Sequence, residues 1–155
     1  MPNLPTQLIR QTALVLLVIA VTGCATGPAF VPESAPGPNE ARVIAYRSSQ
    51  LMNGGVIPNL FYGNKDLGSL VPGGYTALTL TPGVHQFSLR CTNVMKCQFS
   101  DRPFTVAALQ AKTVYLRYSV SSGVDGVRHV ATHSFVPVEA SQAMAELANM
   151  RRIEP

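Results

Sequence analysis

Hydrophobic and polar positions alternate along most of the chain, in short runs separated by turn residues. In the run 113–120, Val114, Leu116 and Tyr118 occupy one set of alternate positions. This period of two is typical of strands that bury one face. Pro58 lies inside the second run and predicts an edge strand there. The predicted strands cover residues 41–47, 56–62, 67–71, 75–80, 84–90, 104–107, 113–120 and 128–136.

The period changes after Pro137, where the pattern predicts one amphipathic helix. Hydrophobic residues then recur at intervals of three and four: Ala140, Met144, Leu147 and Met150. We predict that the helix begins near Glu139 and ends by Arg152, with Arg151 and Arg152 beside the negative end of its dipole. The narrow apolar stripe favours packing on the domain's own sheet over a membrane-surface or partner-binding role.

The N-terminus has the pattern of a cleavable secretory signal. Arg10 precedes an apolar run at 12–21, and small residues then lead to Cys24. A basic start, an apolar stretch of roughly ten residues and small residues typify such signals. The run is too short for a membrane-spanning helix, which needs about twenty apolar residues. The end of this segment, 21–24, resembles the lipobox of bacterial lipoproteins; the alternative is a chance cysteine near an ordinary cleavage site.

The lipobox resemblance implies a signal helix over residues 1–23 and a lipid-carrying Cys24, whose acyl chains hold the mature protein to a bilayer. By the sorting rules of such lipoproteins in Gram-negative cells, Ala25 implies routing to the outer membrane, and we expect the protein on its periplasmic face. Residues 24–40 are rich in Pro, Gly, Ala and Ser and are predicted to be a flexible linker. Residues 41–155 have the size of one domain. We predict a mainly β fold, either an antiparallel β-sandwich or an open barrel, with one C-terminal α-helix.

Charge makes a nucleic-acid partner improbable. The chain has 12 Lys and Arg against 8 Asp and Glu, a net charge of +4. Except for Arg151 and Arg152, these basic residues of the mature chain are scattered singly, whereas nucleic-acid binders usually carry a basic patch or stripe. Export would also separate the protein from DNA and RNA.

The two cysteines after Cys24 suggest a disulfide. Cys91 and Cys97 are separated by five residues, and a tight loop between two strands would bring their Cα atoms within bonding range. Disulfides persist in exported proteins. The alternatives are a metal pair or a reactive thiol, but no histidine or acidic residue lies beside either cysteine to support them.

No motif of a known catalytic site is present, and we expect neither an enzyme nor a cofactor. His129 and His133 are four residues apart, which would suit a metal on a helix. In a strand they are about 13 Å apart, too far to share one ion. His85 follows a Pro-Gly turn and is interpreted as a strand-edge residue that caps backbone groups. An envelope hydrolase is the least favoured hypothesis.

Two segments have the composition of binding loops. The segment 59–65 contains Phe61, Tyr62, Asn64 and Lys65, and 121–126 is rich in serine and glycine. Tyr62 and Asn64 could stack on a sugar and hydrogen-bond to it, although ordinary turn chemistry also explains them. The leading hypothesis is a non-catalytic binding or assembly module with an envelope protein partner, and the alternative is a domain that binds glycan or peptidoglycan.

Residues 40–150 resemble DUF2846, a family of bacterial lipoproteins that is classed as a domain of unknown function. The matching segments are the opening strand 43–47, the turn at 63–68, the Pro-Gly-x-His turn at 80–85 and the strand 111–117, where Ala111 and Val114 depart from the family's pattern. The resemblance implies a β-sandwich with a C-terminal helix. It implies no activity and no functional residues.

Overall fold

The computed structural model describes residues 25–49, 56–93, 97, 99–125 and 127–155. The predicted signal and Cys24 lie outside these residues. Within them, the strands are β1 Ala41–Arg47, β2 Asn59–Tyr62, β3 Lys65–Ser69, β4 Gly74–Leu80, β5 Gly83–Arg90, β6 Arg102–Ala108, β7 Thr113–Asp125, β8 Arg128–Val138 and β9 Arg151–Arg152; the helix α1 spans Ala140–Leu147. Sheet A has the strand order β8-β7-β1-β4-β9, and sheet B has the order β3-β2-β5-β6.

The two sheets pack face to face because alternate residues of their strands are apolar. Val43 of β1 points between the sheets and shares a core with Leu60 of β2 and Phe87 of β5. Ile44 and Tyr46 point to the other face of sheet A, where they pack under α1. The domain therefore has three layers: sheet B, sheet A and the helix. The predicted mainly β fold with one C-terminal helix is confirmed, in the form of a sandwich whose sheets are not closed into a barrel.

Sheet A is mixed, which corrects the prediction of antiparallel pairing throughout. β1 pairs antiparallel with β4 but parallel with β7, and β9 pairs parallel with β4. Sheet B is antiparallel. Alternation shows which residues share a face of a sheet, and it has the same period in both kinds of pairing. The crossover between β1 and β7 is long because the chain builds β4 and all of sheet B in between.

The helix is shorter than predicted. It ends at Leu147, and Arg151–Arg152 form β9 instead of the last helical turn. The chain turns back to the sheet because the N–H of Arg151 donates to the carbonyl of Gly73. The predicted stabilisation of the helix dipole by these arginines is therefore wrong. The predicted packing is confirmed, since Ala143 and Leu147 are buried against sheet A.

Pro58 does not place β2 at an edge. β2 begins after it, at Asn59, and lies between β3 and β5. Because Pro58 precedes the strand, its missing N–H costs the ladder nothing, and its carbonyl accepts a hydrogen bond from the N–H of Leu70 at 2.8 Å. The edge position belongs to β3, and the prediction for the second strand is corrected.

The predicted flexible linker packs against the domain. The N–H of Phe30 donates to the carbonyl of Met150, and Ala29 forms an antiparallel bridge with Arg151. The Phe30 ring meets Tyr75 edge-on, with 5.2 Å between the ring centroids. The composition of residues 24–40 led to the prediction of a flexible linker. It does not reveal that the free side of β9 offers backbone partners to the segment.

Cys91 and Cys97 form the predicted disulfide, with their Cα atoms 5.5 Å apart. The bond closes the connection between β5 and β6. β6 begins only at Arg102, so Cys97 lies before the strand.

Replacing both cysteines by serine should lower the free energy of unfolding by about 2 kcal/mol, because the bond restricts a short loop in the unfolded chain. Urea denaturation with and without a reducing agent measures the effect. Reduction should destabilise the wild type and leave the double variant unchanged. Equal denaturation midpoints for oxidised wild type and variant would contradict this prediction.

Candidate functional site

The predicted binding segment forms the hairpin between β2 and β3. Asn64 and Lys65 are exposed at its turn, while Phe61 and Tyr62 are partly buried. Gly63 adopts φ +58° there, a backbone conformation that glycine reaches without strain. The structure thus places the four residues in one hairpin, with two side chains exposed to solvent and two partly buried.

The two aromatic rings of this hairpin are engaged within the domain. The guanidinium of Arg90 lies over the Phe61 ring, 4.4 Å from its centroid. Tyr62 packs against Phe87, and its hydroxyl lies 2.9 Å from Nδ1 of His85. Nε2 of His85 donates to the carbonyl of Thr81, so Nδ1 is the acceptor for Tyr62. His85 thus binds a backbone carbonyl, as predicted, and also fixes Tyr62.

A polar hollow of about 320 Å³ lies beside this hairpin. It is lined by Asn64, Gln86, Ser88, Arg90 and Asp101, together with Gly63, Phe87 and Pro103. The Arg90 guanidinium donates to Ser88 and to the Gly63 carbonyl, and it lies 3.5 Å from the Asp101 carboxylate. The amide, hydroxyl and charged groups of the hollow are those that bind sugar hydroxyls.

A larger, apolar groove lies on the open side of the sandwich, between β6 at the edge of sheet B and β8 at the edge of sheet A. Its volume is about 560 Å³, within the range of roughly 300–1,000 Å³ that is usual for ligand pockets. Apolar side chains from three strands line it: Phe104 and Val106 of β6, Val114 and Leu116 of β7, and Phe135 and Pro137 of β8. In the described part of the chain, both bordering strands have a sheet partner on one side only.

The registers of β7 and β8 explain why the groove is apolar. Leu116 lies opposite Pro137, and Tyr118 lies opposite Phe135. Residues opposite each other in an antiparallel pair share a face, so these side chains all point inward. Phe135 meets Phe104 across the gap, with 4.9 Å between ring centroids. This ring contact joins β6 of sheet B to β8 of sheet A within the groove.

One end of the groove is polar. The Tyr118 hydroxyl lies 2.7 Å from Nδ1 of His133, whose ring stacks on Phe99. Burial lowers the pKa of His133, and the charges of Arg102 and Arg47 lower it further. Burial raises the pKa of Tyr118 to about 12, so its hydroxyl keeps the proton at neutral pH. Because its pKa is lowered, the His133 ring is neutral at neutral pH.

The groove was not recognised from the sequence. Each of its residues reads as an ordinary strand position, and only the sheet order shows which strands border the opening. Pro103 and Pro137 lie within β6 and β8, and proline in a strand is typical of edges, but the predicted strands 104–107 and 128–136 stopped short of both residues. β6 and β8 are indeed the two edges that border the groove.

His129 and His133 both lie on β8, as the strand prediction requires. Residues 121–125 of the predicted segment 121–126 belong to β7 and do not form a separate loop, and Gly126 lies outside the described residues. Within the described residues, no group of three or more His, Cys, Asp or Glu side chains could hold a metal ion. The same residues contain no helix that is long and apolar enough to cross a membrane.

No family model matches the chain, and no curated protein or solved structure matches it either. Membership of DUF2846 therefore stays a prediction. The fold itself defines the class: a two-sheet β-sandwich with a helix on the outer face of sheet A.

Proposed function

We propose that this chain is a non-catalytic binding or assembly module of the cell envelope, held by acyl chains on Cys24 to the periplasmic face of the outer membrane. Its partner is an envelope protein that places an extended apolar segment in the groove between β6 and β8. The groove is the observation that carries the proposal. An added segment can pair with a free strand edge and insert alternate side chains between the sheets.

Contacts of the histidines support a role without catalysis. His85 is held between Tyr62 and the Thr81 carbonyl, and His133 between Tyr118 and Phe99. Among the described residues, neither ring is hydrogen-bonded to a serine or to a carboxylate, the partners that a nucleophilic triad requires. The groove itself is lined mainly by hydrocarbon, which suits binding.

A photo-crosslinking residue at Pro137, which is exposed on β8 and lines the groove, tests the partner in living cells. We expect a discrete protein adduct that disappears when Val114→Trp fills the groove. Val84→Trp is the matched control, because Val84 is exposed outside the groove and should leave the adduct unchanged. An adduct that survives Val114→Trp, or no adduct, would exclude the groove as the binding site.

The anchor is tested separately. Cys24→Ser should move the protein from the membrane fraction to the soluble fraction and abolish labelling by a palmitate analogue. Cys91→Ser is the control, since that cysteine is paired in the disulfide and should not carry lipid. Unchanged fractionation and labelling of Cys24→Ser would refute the lipoprotein assignment.

The polar hollow favours a second candidate, the binding of glycan or peptidoglycan. Its hydrogen-bonding groups suit sugars, although Tyr62 and Phe61 are already engaged with His85 and Arg90. The protein should then co-sediment with purified sacculi at physiological salt, and Asn64→Ala should weaken this. Failure of the wild type to co-sediment would remove the candidate.

A further inference from the structure

The hairpin of β7 and β8 extends beyond the rest of sheet A. β1 pairs with β7 only as far as Tyr46 and Arg117, whereas β7 and β8 pair with each other up to Asp125 and Arg128. Asp125 is eight positions after Arg117, which corresponds to roughly 26 Å of extended strand. We call its outer part, residues 121–125 and 127–132, the arm. In the described residues, the strands of the arm pair only with each other.

The tip of the arm exposes apolar side chains. Val124 is 68% exposed and Val127 is 98% exposed. The arm contains few charged residues. Two valines at the end of a projecting hairpin contribute nothing to the described core, and their exposure is unfavourable in water.

The start of the described chain lies at the same end of sheet A. Ala25 is buried, and with Thr26 it lines a hollow formed by Ser49, Gly73 and neighbouring residues. Ser49 follows the end of β1, and Gly73 precedes the start of β4. Because β7 runs parallel to β1, the arm projects from this same end. In the strand order, β7 is only two positions from β4, a lateral separation of roughly 10 Å.

The packed linker limits how far the domain can move from the bilayer. Cys24 is bonded directly to Ala25, and residues 27–30 are held on β9 by hydrogen bonds. A lipid on Cys24 therefore begins beside the body of the domain and not at the end of a long tether. The bilayer then lies at the end of sheet A from which the arm projects.

We infer that the arm is a second membrane contact, whose tip, with Val124 and Val127, inserts into the lipid surface to which Cys24 is anchored. This inference rests on the proposed lipid anchor. The anchor holds the tip near the lipid at high effective concentration, so a contact that is weak by itself becomes populated. The two contacts fix the orientation of the domain and thereby the direction in which the groove opens.

The chain contains no tryptophan, which allows a direct test. Val127→Trp and Val84→Trp each introduce a single tryptophan in full-length, natively lipidated protein. Val84 is 75% exposed at the start of β5, which follows β4 at the opposite end of the sandwich, so it is the matched control. Both variants are reconstituted in phosphatidylcholine vesicles with or without brominated acyl chains.

Flotation of the vesicles is measured first, and then the tryptophan emission. We expect both variants to float, with the Val127→Trp emission blue-shifted and quenched severalfold more by brominated lipid than that of Val84→Trp. Adding Val124→Asp to Val127→Trp should reduce this quenching, which shows that the native valine contributes as well as the introduced ring.

Failure of the arm contact and failure of the lipid anchor give different results in these experiments. Variants that float but show equal quenching would overturn the arm contact and leave the anchor standing. Variants that do not float would overturn the lipid anchor itself, and the membrane contact of the arm with it. Strong quenching that Val124→Asp does not change would assign insertion to the introduced tryptophan and overturn the inference.

Discussion

Replacing Arg47 by methionine should lower the free energy of unfolding by about 3 kcal/mol, because two carbonyl groups inside the sandwich lose their donor. Arg47 is only 5% exposed. Its Nη1 donates to the carbonyl of Val56 at 2.6 Å and to that of Leu70 at 3.0 Å. The guanidinium also lies 5.2 Å from the centroid of the Tyr118 ring, a favourable cation–π distance.

Methionine replaces most of the volume of Arg47 but donates no hydrogen bond. The decrease in the free energy of unfolding therefore measures the polar contacts of Arg47. Burial lowers the pKa of Arg47, but arginine remains charged at all ordinary pH values. Arg47→Lys keeps the charge and loses the planar fork, so it should fall between wild type and Arg47→Met.

Urea denaturation measures the change, with an unaltered m-value indicating an unchanged extent of unfolding. Arg102→Met is the control, since Arg102 is exposed and its side chain makes no hydrogen bond or ion pair with a described residue. The control should differ from wild type by less than about 0.5 kcal/mol. Equal losses in the two variants would show that Arg47 does not organise this end of the sandwich.

Local patterns in the sequence were sufficient to predict most of the strands and the buried face of the helix. Alternation at Val114, Leu116 and Tyr118 correctly identified the inner face of β7. The opposite face was also predictable: Tyr115 and Arg117 point to the helix, where they contact Met144 and Glu146. These features depend on periodicity within one element, which the sequence contains directly.

Pairing between distant elements was not predictable in the same way. β9 is two residues long and is a strand only because Gly74 and Tyr75 lie beside it. The linker packs because β9 offers it a free side, and the groove exists because β6 and β8 end their sheets on the same side of the sandwich. None of these contacts leaves a periodic pattern. The candidate site was therefore missed while most of the strands that build it were found.

The contact between α1 and sheet A leads to the second large prediction, which concerns pH. Glu146 accepts hydrogen bonds from the Tyr46 hydroxyl at 2.9 Å, from Arg117 at 2.7 Å and from Gln142 at 2.9 Å. Tyr46 is completely buried under the helix. Glu146→Gln removes the charge and leaves one oxygen instead of two to accept these three hydrogen bonds. The substitution should lower the free energy of unfolding at pH 7 by about 2 to 3 kcal/mol.

Glu146 determines how the free energy of unfolding changes at acid pH. Burial raises its pKa, but the hydrogen bonds from Gln142, Tyr46 and Arg117 and the charge of Arg117 outweigh burial, so the pKa in the folded state lies below its ordinary value. The carboxylate therefore stabilises the fold above its unfolded pKa of about 4.3, and this contribution is lost as the pH falls through the folded-state value. Glu146→Gln has no such contribution to lose.

At alkaline pH the contribution comes from Tyr46, and it is lost as the pH rises and not as the pH falls. Burial, followed by the hydrogen bond to Glu146, raises the pKa of Tyr46 above its ordinary value. The protonated hydroxyl stabilises the fold fully below about pH 10, the unfolded-state pKa, and loses this effect as the pH rises toward the folded-state value. Tyr46→Phe should therefore flatten the alkaline limb, whereas Glu146→Gln should flatten the acid limb.

Urea denaturation from pH 3 to pH 12 tests both limbs in one series, since the Tyr46 contribution is lost only above about pH 10. The difference between wild type and Glu146→Gln should be largest near neutral pH and shrink below about pH 4, the ordinary range of a carboxyl group. Glu139→Gln is the matched control, because Glu139 is exposed just before α1 and makes no capping hydrogen bond. Wild-type and Glu146→Gln curves that stay parallel down to pH 3 would mean that the carboxylate does not hold the helix to the sheet; the third layer would then depend on apolar packing at Ala143 and Leu147 alone.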